Sequence, residues 1–108
     1  MTEIKIIVNC TPHPIMAAGR TFAPSGIIPR VATIEVPSED LDGIPCVIQR
    51  MGEVERLPEP VANTWLIVSA MVFSASDRLD LIAPDTGKGA IRDEQGRILG
   101  VTRFLRKG

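Results

Sequence analysis

The segment from residue 9 to residue 15, Asn-Cys-Thr-Pro-His-Pro-Ile, contains the chain's single histidine and one of its two cysteines. Cys10 and His13 have the C-x-x-H spacing of some zinc sites, but a closed zinc site takes about four ligands. A cysteine–histidine nucleophile would also need a third group to orient the imidazole. We therefore expect no metal site and no catalytic residue here. Cys10 is interpreted as a small buried residue, and His13 as a group that two prolines hold out toward a ligand or a loop backbone.

The segment from residue 84 to residue 93, Pro-Asp-Thr-Gly-Lys-Gly-Ala-Ile-Arg-Asp, is the richest cluster of groups that could bind an anion. Its glycines let the backbone approach a ligand closely, and its amides, with Thr86 and Lys88, would wrap a negatively charged group. Arg92 would add a planar guanidinium suited to phosphate, and Asp85 would accept a hydrogen bond from a ribose hydroxyl. The Walker phosphate-binding pattern is absent from the sequence, so a solvated glycine-rich connector is the alternative interpretation.

Further polar residues extend this predicted site. Ser69 follows a short apolar run and would begin a helix, whose N-terminus attracts anions, although a plain N-cap needs no ligand. Arg78 would reach the ligand or would simply pair with Asp77 and Asp80. Residues 97–107 carry four basic side chains and no acidic one. They would either help to hold a phosphate or form a solvated terminal strand.

Short β-branched runs between prolines and glycines predict a β-rich fold. Nine prolines and nine glycines interrupt the chain, and only four residues are aromatic. One helix of two to three turns is predicted directly after residue 68. An acidic loop or single helical turn is expected at 37–43, and a long loop within 80–97. The expected strands are 4–8, 15–23 with a break at Gly19, 27–36, 44–51, 64–68 and the last strand at 97–105, with a hairpin turn at 94–96.

A length of 108 residues predicts one domain, spanning 1–108. The expected class is α+β and β-rich, with about six strands in a barrel-like or two-layer sheet and one short helix. Apolar residues on both faces of 4–8 and 64–68 suggest more burial than one small sheet offers, which favours a homo-oligomer. A net charge of −1 argues against nucleic-acid binding. The sequence has no membrane-length apolar run and no secretory leader pattern, so a cytoplasm is the expected location.

Six segments that together touch most of the chain resemble a group of small, mostly uncharacterised proteins from tailed bacteriophages and prophages. Such proteins usually carry leucine where this chain has Cys10, which weakens any catalytic role for that thiol. The resemblance implies a phage origin and a workplace in the host cytoplasm, and it carries no assigned activity. The segments are N-C-T-P-H-P-I at 9–15, P-S-G at 24–26, L-P-E-P at 57–60, T-W-L-I-V-S-A-M-V at 64–72, R-L-D-L-I-A-P-D-T-G at 78–87 and A-I-R-D-E-Q-G-R-I-L-G-V-T-R at 90–103.

Phage accessory proteins include oligomers that sequester nucleotide immune signals, and analogy with them suggests a function. We expect a non-catalytic protein that binds a small anionic, nucleotide-like ligand and so blunts host signalling, without a cofactor. The alternative is a phage structural or protein-inhibitor module that uses strand edges and the 84–93 loop against a protein partner. An enzyme that acts on a nucleotide or phosphate ester, with His13 as acid–base group, is the third hypothesis. In the first hypothesis the residues that line the binding site are His13, Ser69, Arg78, Asp85, Thr86, Lys88 and Arg92.

Overall fold

The computed structural model describes residues 4–108 and confirms the β-rich α+β class. Its sheets are two four-stranded sheets and one long two-stranded hairpin, and they do not close into a barrel. In chain order, the elements of the described residues are β1 (Ile6–Asn9), β2 (Ile15–Ala17), β3 (Arg20–Phe22), β4 (Arg30–Leu41), β5 (Ile44–Glu55), β6 (Thr64–Ile67), α1 (Ala70–Ala75), β7 (Leu81–Pro84), β8 (Ala90–Arg92), β9 (Ile98–Val101) and β10 (Phe104–Arg106).

The first sheet has the strand order β1-β6-β7-β10. Strands β1, β6 and β7 run parallel to one another, and β10 pairs antiparallel with β7. Parallel strands that are covered on both faces carry nearly continuous apolar runs, and Ile67 and Leu81 are fully buried here. Helix α1 connects β6 to β7, so the predicted passage from strand 64–68 into a helix is confirmed.

Helix α1 has six residues, which is fewer than the two to three turns that the sequence suggested. Its C-terminal residue is followed by Ser76, whose backbone is extended. The Ser76 hydroxyl accepts a hydrogen bond of 3.2 Å from the amide of Arg78. This local bond competes with the helical ladder and turns the chain toward β7.

The second sheet has the order β3-β2-β9-β8. Strands β2 and β3 form a hairpin whose turn, Ala18-Gly19, has positive φ at both residues, so the predicted break at Gly19 is confirmed. Strands β8 and β9 form the hairpin predicted at 94–96. The backbones of β2 and β9 approach closely at Gly100, where an added Cβ would lie 2.9 Å from the carbonyl oxygen of Met16.

The predicted long loop within 80–97 is wrong, because the strands β7 and β8 interrupt this segment. Leu81–Pro84 is the buried strand β7, placed between β6 and β10, and the loop itself is limited to residues 85–89. The apolar run Leu-Ile-Ala forms a strand although glycines follow it, because its side chains are buried in the core. The predicted last strand also divides, with β9 in the second sheet and β10 in the first.

The hairpin of β4 and β5, residues 30–55, is named the arm. The prediction of an acidic loop at 37–43 is wrong, because the strands continue to Leu41 and resume at Ile44. The two residues between them, Asp42-Gly43, both have positive φ, the geometry in which Asp-Gly connects hairpin strands. Pro37 is tolerated because the arm has only two strands, and proline is confined to edge strands.

The hydrophobic core lies between the first sheet, α1 and the base of the arm. Its buried members include Cys10, Leu66 and Val72, and the partly buried Val31 and Val54 of the arm pack against them. The interpretation of Cys10 as a small buried residue is therefore confirmed. Of the helices in residues 4–108, none has the length and apolarity needed to cross a membrane.

Candidate functional site

His13 lies in an exposed turn that is fixed through its backbone. Asn9, at the end of β1, is almost fully buried and donates hydrogen bonds to the carbonyl oxygens of His13 and Phe22 at 2.8 Å and 2.9 Å. The side-chain oxygen of Asn9 accepts from both the amide and the hydroxyl of Thr11. This network fixes the backbone of the turn, and the His13 side chain is exposed.

The loop 85–89 is organised by Asp85, which is buried. Its carboxylate accepts from the Arg103 guanidinium at 2.7 Å and from the amide of Gly87 at 3.0 Å. The hydrogen bond from Arg103 lowers the pKa of Asp85, and the Gly87 amide acts in the same direction. Both carboxylate oxygens thus already have internal partners, whereas Thr86 and Lys88 in the same loop are exposed.

The remaining predicted site residues also have internal partners. The Ser69 hydroxyl accepts from the amide of Val72, which makes it the N-cap of α1. The Arg78 guanidinium holds the Asp80 carboxylate with two hydrogen bonds and donates to the carbonyl oxygen of Pro58 at 2.6 Å. Arg92 donates to the carbonyl oxygen of Gly96 in the β8–β9 hairpin.

These residues do not surround one cavity. Thr86 lines a pocket of about 200 Å³ with Pro14, Met16 and Leu99 among its walls. Ser69 lines a different pocket of about 320 Å³, beside the base of the arm. Asp85, Thr86 and Lys88 share a loop, and each of the other four predicted residues lies on a different element.

A pocket that the sequence did not indicate lies on the open face of the first sheet. It has a volume of about 160 Å³ and contains the chain's single tryptophan. We name it the Trp65 pocket and distinguish it from three larger pockets because its walls combine two aromatic rings with two cationic side chains. One of those three, of about 270 Å³, shares Trp65 and Arg106 with it and also contains Asp80. Its lining residues are Lys5, Ile7, Trp65, Ile82, Phe104 and Arg106.

Strand pairing places these residues on one face. Ile7 is opposite Trp65 in the parallel pair of β1 and β6, and Arg106 is opposite Ile82 in the antiparallel pair of β7 and β10. Phe104, two residues before Arg106, therefore lies on the same face. Its ring meets the Phe22 ring of the second sheet edge-on, with centroids 6.0 Å apart. The second sheet thus contacts this face at Phe104, and the part around Trp65 is left open.

Two cations flank the indole. The Lys5 ammonium nitrogen lies 5.5 Å from the centroid of the Trp65 ring, and the Arg106 guanidinium carbon lies 5.7 Å from it. Both distances are within the range of cation–π attraction, so the positive charges are held beside an aromatic surface. Arg106 belongs to the basic C-terminal segment, for which a phosphate contact was one of two interpretations, and it was not among the predicted site residues. Lys5 and Trp65 gave no such signal, because their proximity depends on the pairing of β1 with β6.

Within residues 4–108, no three histidine, cysteine, aspartate or glutamate side chains lie close enough to share a metal ion. The polar groups of the Trp65 pocket are instead a guanidinium and an ammonium, which suit an anion. No family model, no curated protein and no solved structure matches this chain.

Proposed function

We propose that the protein is a non-catalytic binding protein for a small anionic, nucleotide-like ligand, and that the ligand's aromatic ring enters the Trp65 pocket. The observation that carries this proposal is the indole flanked by Lys5 and Arg106. An aromatic surface beside two positive charges complements a molecule that joins a flat ring to a phosphate. The proposal keeps the expected ligand class and moves its principal site from the 84–93 loop to the first sheet.

Stacking and charge would share the binding energy. A base stacked on an aromatic side chain is stabilised by about 1–3 kcal/mol, and Arg106 adds a charge-assisted contact to phosphate. The pocket of about 160 Å³ is small beside the roughly 300–1,000 Å³ of clefts that enclose whole drug-sized ligands. One ring would therefore enter, and the phosphate would remain at the rim with Lys5.

The lining of the Trp65 pocket also supports a binding role over a catalytic one. Its six residues include no carboxylate, imidazole, hydroxyl or thiol, and the Lys5 amine is the one lining group of the usual acid–base and nucleophilic kinds. We therefore place the protein among ligand-sequestering proteins. The resemblance to phage proteins supports a host nucleotide signal as the ligand and the host cytoplasm as the place of capture.

Binding can be tested by the fluorescence of Trp65, since the chain has one tryptophan. We expect saturable quenching by a nucleotide from a panel of AMP, ADP-ribose and cyclic dinucleotides, but no quenching by inorganic phosphate. Arg106→Ala should raise the dissociation constant about tenfold or more, because a hydrogen bond to a charged group is worth about 1.5–3 kcal/mol.

Arg97→Ala is the matched control. Arg97 is an exposed arginine in the β8–β9 hairpin, paired with Asp93 at 2.9 Å, so its loss should leave the dissociation constant unchanged. Equal weakening by both substitutions would show nonspecific attraction and contradict the proposed site. No saturable binding of any nucleotide, checked by calorimetry, would contradict the proposed ligand class. Consumption of the nucleotide during the titration would favour the enzyme hypothesis.

A further inference from the structure

The arm presents an apolar face that nothing in residues 4–108 covers. Directly opposite residues of an antiparallel pair share a face, and the pairs Val36–Ile48 and Ile34–Arg50 lie on the same one. The side chains of Ile34, Val36 and Ile48 are 58%, 40% and 46% exposed. Cys46, opposite Ser38, continues this face toward the tip. We name it the arm face.

The arm also lacks a third strand. Within the described residues, β4 and β5 are hydrogen-bonded as strands only to each other, so both outer edges remain open along most of their length. An isolated two-stranded hairpin is marginally stable at best in water, and independent stability takes more strands or a covering element. An exposed edge beside an apolar face is a ready template for another chain.

The charge distribution indicates which chain that is. The arm carries six acidic side chains and two basic ones, Arg30 and Arg50, of which Arg50 lies on the arm face. Residues 86–108, which follow β7, carry six basic side chains and two acidic ones. Opposite charges are thus segregated within one sequence whose net charge is only −1. Two copies of the chain bring an acidic arm and a basic body together, and such complementarity steers association.

We infer that the arm face is an interface between two copies of this chain, with the acidic arm of each copy lying on the basic body of the other. Reciprocal contacts of this kind give a closed, symmetric dimer, the commonest form of homo-oligomer. The contact covers Ile34, Val36 and Ile48 and supplies the apolar cover that a two-stranded hairpin lacks. It goes beyond ligand binding and does not depend on the Trp65 pocket.

The test is sedimentation of the full chain across a wide range of concentrations. We expect the native sequence to sediment as a dimer. The double substitution Ile34→Thr with Ile48→Thr should raise the dissociation constant about a hundredfold or more, because it removes apolar contact from both copies. Val61→Thr is the matched control: Val61 lies in the loop before β6, outside the arm and residues 86–108, and is 63% exposed, close to the 58% of Ile34. Its replacement should leave the dimer intact.

Charge and thiol reactivity give two independent readouts. Glu39→Lys with Asp40→Lys should weaken the dimer about tenfold, and added salt should weaken the native dimer in the same direction. Cys46 lies on the arm face and is partly exposed, whereas Cys10 is buried. Alkylation of Cys46 by iodoacetamide should therefore be slower in the dimer than in the Ile34→Thr/Ile48→Thr variant.

A native chain that sediments as a monomer at every concentration would overturn the inference. So would a dimer that the arm-face substitutions leave unchanged, or a monomer whose Cys46 is protected only when a host or phage protein is added. The Ile34→Thr/Ile48→Thr variant should still quench on binding the nucleotide. Dimerisation tests this inference and nucleotide binding tests the proposed function, so either one can fail while the other holds.

Discussion

At the scale of single residues, the Asp85 carboxylate has a structural use that its position in a glycine-rich loop does not reveal. It is hydrogen-bonded to Arg103 on the far side of the β8–β9 hairpin and to the amide of Gly87 within the loop. Gly89 lies so close that an added Cβ would be 3.0 Å from the Asp85 side chain and from Arg103. A carboxylate expected to receive a ribose hydroxyl instead organises the loop.

The lowered pKa of Asp85 predicts acid sensitivity. The folded pKa lies below the unfolded value of about 3.8, so the folded protein binds fewer protons in the window beneath that pH. The stability that Asp85 contributes is therefore fully present above about pH 4 and is lost as the pH falls through the folded pKa. We expect Asp85→Asn to lower the melting temperature at neutral pH, with a deficit that shrinks in acid.

Circular dichroism melts of both proteins over a pH series would measure this difference. Glu94→Gln, which changes an exposed carboxylate in the β8–β9 turn, is the control and should leave the melting temperature nearly unchanged. A deficit that stays constant down to the lowest pH at which the protein folds would contradict the assigned role.

At the scale of elements, α1 shows how a short helix depends on its end. A helix of six residues has few internal hydrogen bonds, so each bond at its ends matters for its stability. The Ser69 hydroxyl accepts the hydrogen bond from the amide of Val72. The residue was identified in the sequence both as a cap and as an anion contact. The observed bond assigns the first use, and the Trp65 pocket lies elsewhere on the first sheet.

Ser69→Ala should lower the free energy of unfolding by about 1 kcal/mol, the usual cost of losing such a cap. Ser74→Ala, an exposed position inside the same helix, should be neutral or stabilise by up to about 0.5 kcal/mol, because alanine is the better helix former. Urea denaturation would measure both. The Ser69 variant should retain full nucleotide affinity, and an equal effect of the two substitutions on stability would contradict the cap.

At the scale of the whole molecule, the arm makes the protein long. The radius of gyration is 17.1 Å and the longest extent is 63 Å, whereas a compact domain of this length has a radius of about 13 Å. The difference arises because twelve-residue strands on each side of Asp42-Gly43 extend well past the core contacts at Val31 and Val54.

Small-angle X-ray scattering of the Ile34→Thr/Ile48→Thr variant should therefore give a radius of gyration close to 17.1 Å, since the substitutions remove the partner but leave the hairpin turn intact. Scattering from the native protein at the same concentration gives the radius of gyration of the dimer for comparison. A monomer with a radius near 13 Å would mean that the arm folds back onto the body, which would contradict its extended form.

Much of the fold was predictable because local patterns decide it. The alternating run after residue 30, the apolar strand at 64–67 and the turn at Gly19 each identify their element within a few residues. The arm was missed although Asp42-Gly43 is a strong hairpin signal. Four acidic residues between 35 and 42 resemble a loop when they are read without the apolar side chains that alternate with them.

The Trp65 pocket could not be predicted in the same way. Its walls come from positions 5, 65, 82 and 104, which become neighbours only when β1, β7 and β10 take their places around β6. No spacing along the chain encodes that order. The basic residues of the C-terminal segment suggested a phosphate contact as one of two interpretations, and Arg106 of that segment lines the pocket.

The strand order of the first sheet has a consequence for the time course of folding. Strand β1 must wait for β6, since Ile6 pairs with Thr64, and contacts so distant in sequence carry a loop-closure cost and form slowly. The arm needs only a two-residue turn, and hairpins form in about 1–10 μs. We therefore expect the arm face to be exposed on partly folded chains, in which the first sheet has not yet formed. The arm also carries Glu35, Glu39, Asp40 and Asp42, and charged residues beside exposed apolar strands are the kind that limits aggregation.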